Sequence, residues 1–238
     1  MEFKTLVKYI PTLNDENKSI LESKIRLLRV VVGLLGMALP ILLVVFLKIS
    51  SGYSEVLPSI SHYYYTRVSG IFVVIMSILG LFLLIYTFKP ADFIVSSIAA
   101  LGVFLLLLFP TSNLDQFFGC SELNPTVTHL AKSDAREYVH YISAVVFLSC
   151  LAFMSLFLFT KSDFNPKDQS PQKRMRNKIY VICGSVMIAA MLVVLSEIIG
   201  WFPSDTYEAY NLTFWMEVVA LESFGISWFV KGEVVLKG

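Results

Sequence analysis

Residues 69–88 read SGIFVVIMSILGLFLLIYTF, twenty positions without one charged side chain. A helix rises about 1.5 Å per residue, so the run covers about 30 Å, the thickness of a bilayer's hydrocarbon core. Open strands would carry unpaired backbone groups into lipid, and no ten-residue alternating pattern in the chain suggests a closed barrel. The run is therefore read as a membrane-spanning helix.

Five further stretches pass the same test, which predicts spans at roughly 27–47, 69–88, 92–111, 138–160, 178–201 and 210–230. Composition agrees: 56% of the 238 residues are apolar and 16% charged, with a mean hydropathy of +0.70. Soluble domains are about a quarter charged, so this chain lacks the polar surface to face water on all sides. The expected fold is all-α, a polytopic membrane protein built as a six-transmembrane-helix bundle. Residues 1–26 are expected to form a cytoplasmic amphipathic segment, and 27–238 the transmembrane domain. Within the segment, Phe3, Leu6, Val7 and Ile10 share one helical face beside Lys4 and Lys8, the spacing of a short interfacial helix. Pro40 is expected to kink the first span, and Pro110 to stop the third. The first apolar run begins only near Leu27, behind a charged stretch too long for a cleaved signal peptide. No linker or internal repeat divides the chain.

Lysine and arginine set the expected orientation. Lys4, Lys8, Lys18, Lys24, Arg26, Arg29, Lys89, Lys161, Lys167, Lys173, Arg174, Arg176, Lys178, Lys231 and Lys237 fall on one side, and Lys48, Arg67, Lys132 and Arg136 on the other, 15 against 4. Both termini are then cytoplasmic, in a multi-pass membrane protein. The stretch SISHYYYTRVSG (59–70) becomes an outer connection, as does the long loop from Ser112 to Arg136 with its Phe117–Phe118 pair. Tyrosines collect at the membrane–water boundary, so Tyr63, Tyr64 and Tyr65 read as an aromatic belt or as the wall of a ligand site. Adjacent side chains diverge by about 100° on a helix and about 180° on a strand, so at least one should turn toward protein.

Ionisable groups at membrane depth are costly and are the first place to look for function. His140, Glu197 and Glu217 fall at similar depth in the outer half of the fourth, fifth and sixth spans. Glu222 lies five residues, roughly 140°, around the helix from Glu217 and needs another partner. The candidate ligand-binding residues are Tyr63, Tyr64, Tyr65, Arg67, His140, Glu197 and Glu217. No catalytic residues, metal ligands or cofactors are assigned. The three histidines (His62, His129, His140) form no HxxxH or HExxH, and the three cysteines no CxxC. GxSxG and P-loop patterns are absent. The basic loop from Lys161 to Lys178 lacks an aromatic platform, which argues against nucleic acid as a partner. It reads as a topology-setting loop and a headgroup contact.

With SISHYYYT at 59–66, LFPTS at 108–112, HYISA at 140–144 and FGISWFVKGE at 224–233, the chain resembles a widespread group of six-helix bacterial membrane proteins. That resemblance implies the six-helix fold and no particular activity. Where related chains carry an Arg–Asp pair, this one has Ser69 and Gly70. A looser similarity runs to DRAM-type six-helix proteins and to membrane hydrolases of the ceramidase and adiponectin-receptor kind. The hydrolases hold zinc with three histidines. Only His62 behind Ser59 and Ser61 is similar to that arrangement, so no catalytic residues carry over. The expected function is a non-enzymatic integral membrane protein with an outer-facing pocket for a lipid or small amphiphile. The alternatives are a membrane-embedded metal-dependent hydrolase and a transporter or oligomeric pore. Membrane lipids are the expected partners, with the chain acting alone or as an oligomer.

Overall fold

Proline and serine punctuate the apolar runs, and the helices begin and end there. The computed structural model describes residues 15–86, 90–114, 125–162, 169–201, 207 and 209–236. Its long helices are α1 (Asp15–Ser51), α2 (Ser69–Ile85), α3 (Pro90–Leu108), α4 (Asp134–Phe153), α5 (Pro171–Ile198) and α6 (Leu212–Lys231). Ser133 caps α4 by accepting from the Arg136 N–H, and Ser170 caps α5 by accepting from Lys173 N–H with Pro171 in the first turn. Each serine satisfies a donor that the helix start leaves orphaned. Pro110 follows the end of α3, which stops at Leu108 rather than at 111. Pro40 lies inside α1, which runs unbroken from Asp15 and so includes part of the segment expected before the first span. The interfacial helix expected at 3–10 and the Phe117–Phe118 loop lie outside the described residues.

Each helix packs against its predecessor and α6 closes on α1, giving a ring in chain order. The α1–α6 seam is closely packed. A Cβ on Gly225 would lie 2.6 Å from the Gly33 carbonyl oxygen, so only glycine lets the two backbones meet there. On the far side, α4 passes into a π turn at Met154–Leu158. There the Ser155 hydroxyl donates to the Tyr180 carbonyl at 2.9 Å and meets the Ser227 hydroxyl at 2.6 Å. One wide turn thus clamps α4 to α5 and α6, the kind of interhelical polar bond that apolar solvent favours.

The ring's outer surface is apolar. Leu34, Ile41, Val74, Leu81, Leu101, Ile142, Ile188 and Leu192 are all exposed, a continuous belt that water would not tolerate and lipid would. Among the described residues, four helical stretches are long and apolar enough to cross a membrane: Ser23–Ser51, Pro90–Leu108, Asp134–Leu158 and Pro171–Glu197. The chain is therefore a helical membrane-type bundle. The other two expected spans differ for physical reasons. At 17 residues, α2 covers about 26 Å, short of the hydrocarbon core, because the chain turns extended at Tyr86. Within α6, Glu217 and Glu222 interrupt the apolar run.

Charge divides the two ends of the bundle. Among the described residues, Lys24, Arg26, Arg29, Lys161, Lys173, Arg174, Arg176, Lys178 and Lys231 lie at the end where α1, α3 and α5 begin and α6 finishes. Lys48, Arg67, Lys132 and Arg136 lie at the other end.

Candidate functional site

Past the end of α3 at Leu108, the carbonyls of Phe109, Pro110 and Thr111 need donors from elsewhere. Three side chains supply them. His140 of α4 places Nδ1 2.9 Å from the Phe109 oxygen, Arg136 donates from Nε to the Pro110 oxygen at 3.1 Å, and Tyr65 donates its hydroxyl to the Thr111 oxygen. The LFPTS stretch is thereby tied to α4 and to the tyrosine run.

That run forms a short 3-10 helix, Ile60–Tyr65, which precedes α2. Its tyrosines are not a lipid-facing belt. Tyr63 and Tyr65 are both 0% exposed, and Tyr64 is half-buried with its ring edge-on to that of Tyr65. Tyr63 packs beside Phe214 of α6, and its hydroxyl lies 3.5 Å from the Leu57 N–H. The Tyr65 carbonyl accepts from Val127 and Thr128 N–H at 2.8 and 3.2 Å, beside a single antiparallel bridge between Thr66 and Thr126. Their partners are backbone groups, not the ionisable layer of α4–α6. The run is a buried bracket that holds the 3-10 helix against the bundle end.

Below the bracket, α4, α5 and α6 enclose a cavity of about 470 Å³, within the range of small-molecule sites. Ala144, Val145 and Leu148 of α4, Ala190, Met191 and Val194 of α5, and Ala220 of α6 form an apolar floor. Ser59, His62, His140, Glu197 and Glu217 gather at its polar end. His140, Glu197 and Glu217 thus share one wall, brought together from three helices. Tyr63, Tyr64, Tyr65 and Arg67 do not line the cavity, and Arg67 is exposed. Glu222 also lies off it, half-buried.

The two carboxylates are held differently. The Ile60 N–H donates to Glu217 Oε2 at 2.6 Å, so a residue 157 positions away caps the 3-10 helix. Ser59, at that helix's N-cap, makes no side-chain cap bond of its own; its Oγ lies 2.9 Å from His62 Nδ1. Thr213, one turn before Glu217, donates its hydroxyl to Glu197 and joins α6 to α5. Tyr207 closes the wall, its hydroxyl donating to the Val193 carbonyl at 2.8 Å and meeting Ser196 Oγ at 2.6 Å. Burial pushes the His62 imidazole down to about 3, and the neighbouring His140 ring adds to the effect, so His62 is neutral at pH 7. Among the described residues no lysine or arginine lines the cavity. Its polar end therefore offers carboxylate oxygens and imidazoles with no fixed positive charge.

Ser59, His62, Tyr207 and Thr213 are the site residues that sequence reasoning missed. Only His62 carried a signal, a histidine behind two serines at a helix start; the others look like ordinary loop and helix-end residues. His129 is exposed and does not line the cavity. Among the described residues, no three His, Cys, Asp or Glu side chains form a metal-holding group. No family model, curated protein or solved structure matches this chain.

Proposed function

We propose that the chain is a six-span bundle of a bacterial inner membrane, both termini cytoplasmic, whose outer-facing cavity binds a lipid or small amphiphile without catalysis. One observation carries the reading: a cavity with an apolar floor and an acidic, imidazole-bearing end, lined in part by residues of the bundle end that carries fewest cations. An amphiphile fits both halves at once. Its chain covers Val145, Leu148, Met191 and Val194, and its headgroup meets Glu197 and Glu217. Because no lysine or arginine among the described residues faces the headgroup, the preferred one donates hydrogen bonds or carries a positive charge, as an amine does. An anionic headgroup would bring like charges together in a low-dielectric space.

The charge division supports this orientation, since cytoplasmic flanks collect lysine and arginine. Reporter fusions at Ser170 and after Val235 are expected to read cytoplasmic. The ligand is tested by mass spectrometry of lipids that copurify with the protein in mild detergent. An aminolipid or amine amphiphile should be enriched in the wild type and reduced in Glu197→Gln. Retention of lipid in bulk membrane proportions by both proteins would refute the reading.

A further inference from the structure

The opposite end of the bundle holds a second polar site, independent of the cavity. Lys231 ends α6, and its Nζ stands 5.1 Å from the ring centre of Phe159 and 5.9 Å from that of Tyr180. Lys173, in the first turn of α5, reaches the same platform, with Nζ 6.0 Å from the Tyr180 ring centre. Phe159 and Tyr180 pack edge to face, and both are buried, so the two ammonium groups share one fixed aromatic floor. Two further cations flank them. Arg29 of α1 donates to the Lys231 carbonyl at 3.4 Å, and Arg176, one turn along α5 from Lys173, is 5% exposed.

Like charges brought together at a half-buried site repel, and the fold only partly compensates. Glu233 is engaged by Arg176 at 3.0 Å. Asp92, in the first turn of α3, is the other carboxylate within electrostatic reach of Lys231. Lys173 donates to the Phe159 and Lys161 carbonyls at 3.1 and 3.3 Å. The Lys231 ammonium, by contrast, donates no hydrogen bond among the described residues, although it has three protons to offer. Cation–π attraction alone leaves those donors available to an anion. Nearby, Phe157, Val181 and Ile182 are exposed on the same turns as Phe159 and Tyr180, so the apolar belt runs up to the cations.

We propose that Lys231 and Lys173, with Arg29 beside them, bind a phosphate group, and that its source is an anionic lipid in the leaflet at the basic end. A phosphate seated between the two ammonium groups takes up the unused Lys231 donors and relieves their repulsion. Its acyl chains then lie along Phe157 and Ile182. Basic pockets between helices at a membrane surface are suited to such headgroups.

The test is thermal unfolding of detergent-purified protein with added phosphatidylglycerol, phosphatidylcholine or inorganic phosphate, in the wild type, Lys231→Met and Lys231→Arg. A lipid at one hundred times its dissociation constant should raise the wild-type Tm by on the order of 5 °C. Phosphatidylglycerol should do so, phosphatidylcholine should not, and Lys231→Met should lose most of the shift while Lys231→Arg keeps it. Should Lys231→Met fail to fold, Lys173→Gln reads the same loss. An equal shift from millimolar inorganic phosphate assigns the same residues to a free anion in place of a lipid. No shift from either anion in the wild type, or a full shift in Lys231→Met, overturns the proposal.

Discussion

Replacing Glu217 by leucine removes the acceptor that the Ile60 N–H meets at 2.6 Å and leaves that donor buried beneath the tyrosine bracket. Leucine fills similar space, so the main effect is the orphaned backbone group. Such a group costs about 1–3 kcal/mol, against about 0.5–1.5 kcal/mol for the net value of an ordinary intramolecular hydrogen bond. The Ser59 side chain, turned to His62, makes no cap bond that could substitute. We therefore expect Glu217→Leu to destabilise by about 2 kcal/mol, which at 2–4 °C per kcal/mol for a chain of this size lowers Tm by about 4–8 °C. Glutamine keeps an oxygen at the same reach and should lower it by less than about 3 °C. Scanning fluorimetry in detergent at pH 7 measures both. Hydrogen exchange at Ile60 supplies the mechanism, since its amide should stay protected in Glu217→Gln and exchange rapidly in Glu217→Leu. Equal loss in the two variants, or an Ile60 amide still protected in Glu217→Leu, would refute the capping argument.

The α1–α6 seam makes a second prediction. A valine at Gly225 forces α1 to retreat by about 0.8 Å if its Cβ is to move from 2.6 Å to an ordinary 3.4 Å contact with the Gly33 oxygen. Overpacking of that kind costs about 1–3 kcal/mol, so Gly225→Val should unfold several degrees below the wild type in the same assay. The tyrosines should separate by position. Tyr65→Phe deprives the Thr111 carbonyl of its donor and should cost about 1 kcal/mol, whereas Tyr64→Phe, half-buried, should be near neutral; equal effects would contradict the bracket. For His62 the folded pKa of about 3 lies below the unfolded value near 6.5, so the unfolded state binds the extra proton between those limits. Stability contributed by the neutral ring is complete above pH 6.5 and declines as pH falls toward 3, by up to about 1.4 kcal/mol per pH unit. A denaturation series from pH 7.5 to 4 should show a shallower decline in His62→Gln than in the wild type.

Apolar run length is a local property, and it was enough to locate the six long helices among the described residues, four of them long and apolar enough to cross a hydrocarbon core. Helix ends were harder to read. Pro110 marked the end of α3 to within three residues, but nothing local showed that α2 would turn extended at Tyr86 or that α1 would continue back to Asp15. That His140, Glu197 and Glu217 lie toward one end of their helices was also legible, since it follows from position along a helix. Whether they share a wall was not, because that depends on how three helices are rotated about their axes. Rotation is decided by contacts such as Gly33 against Gly225 and Ser155 against Ser227, between residues more than seventy positions apart. The tyrosine run shows the same division. Sequence determined that three adjacent rings could not all face one way. Only the packing of Phe214, the Thr111 carbonyl and the Glu217 carboxyl around the 3-10 helix decided that two of them are buried in the protein, because their partners come from chain segments that folding alone brings near.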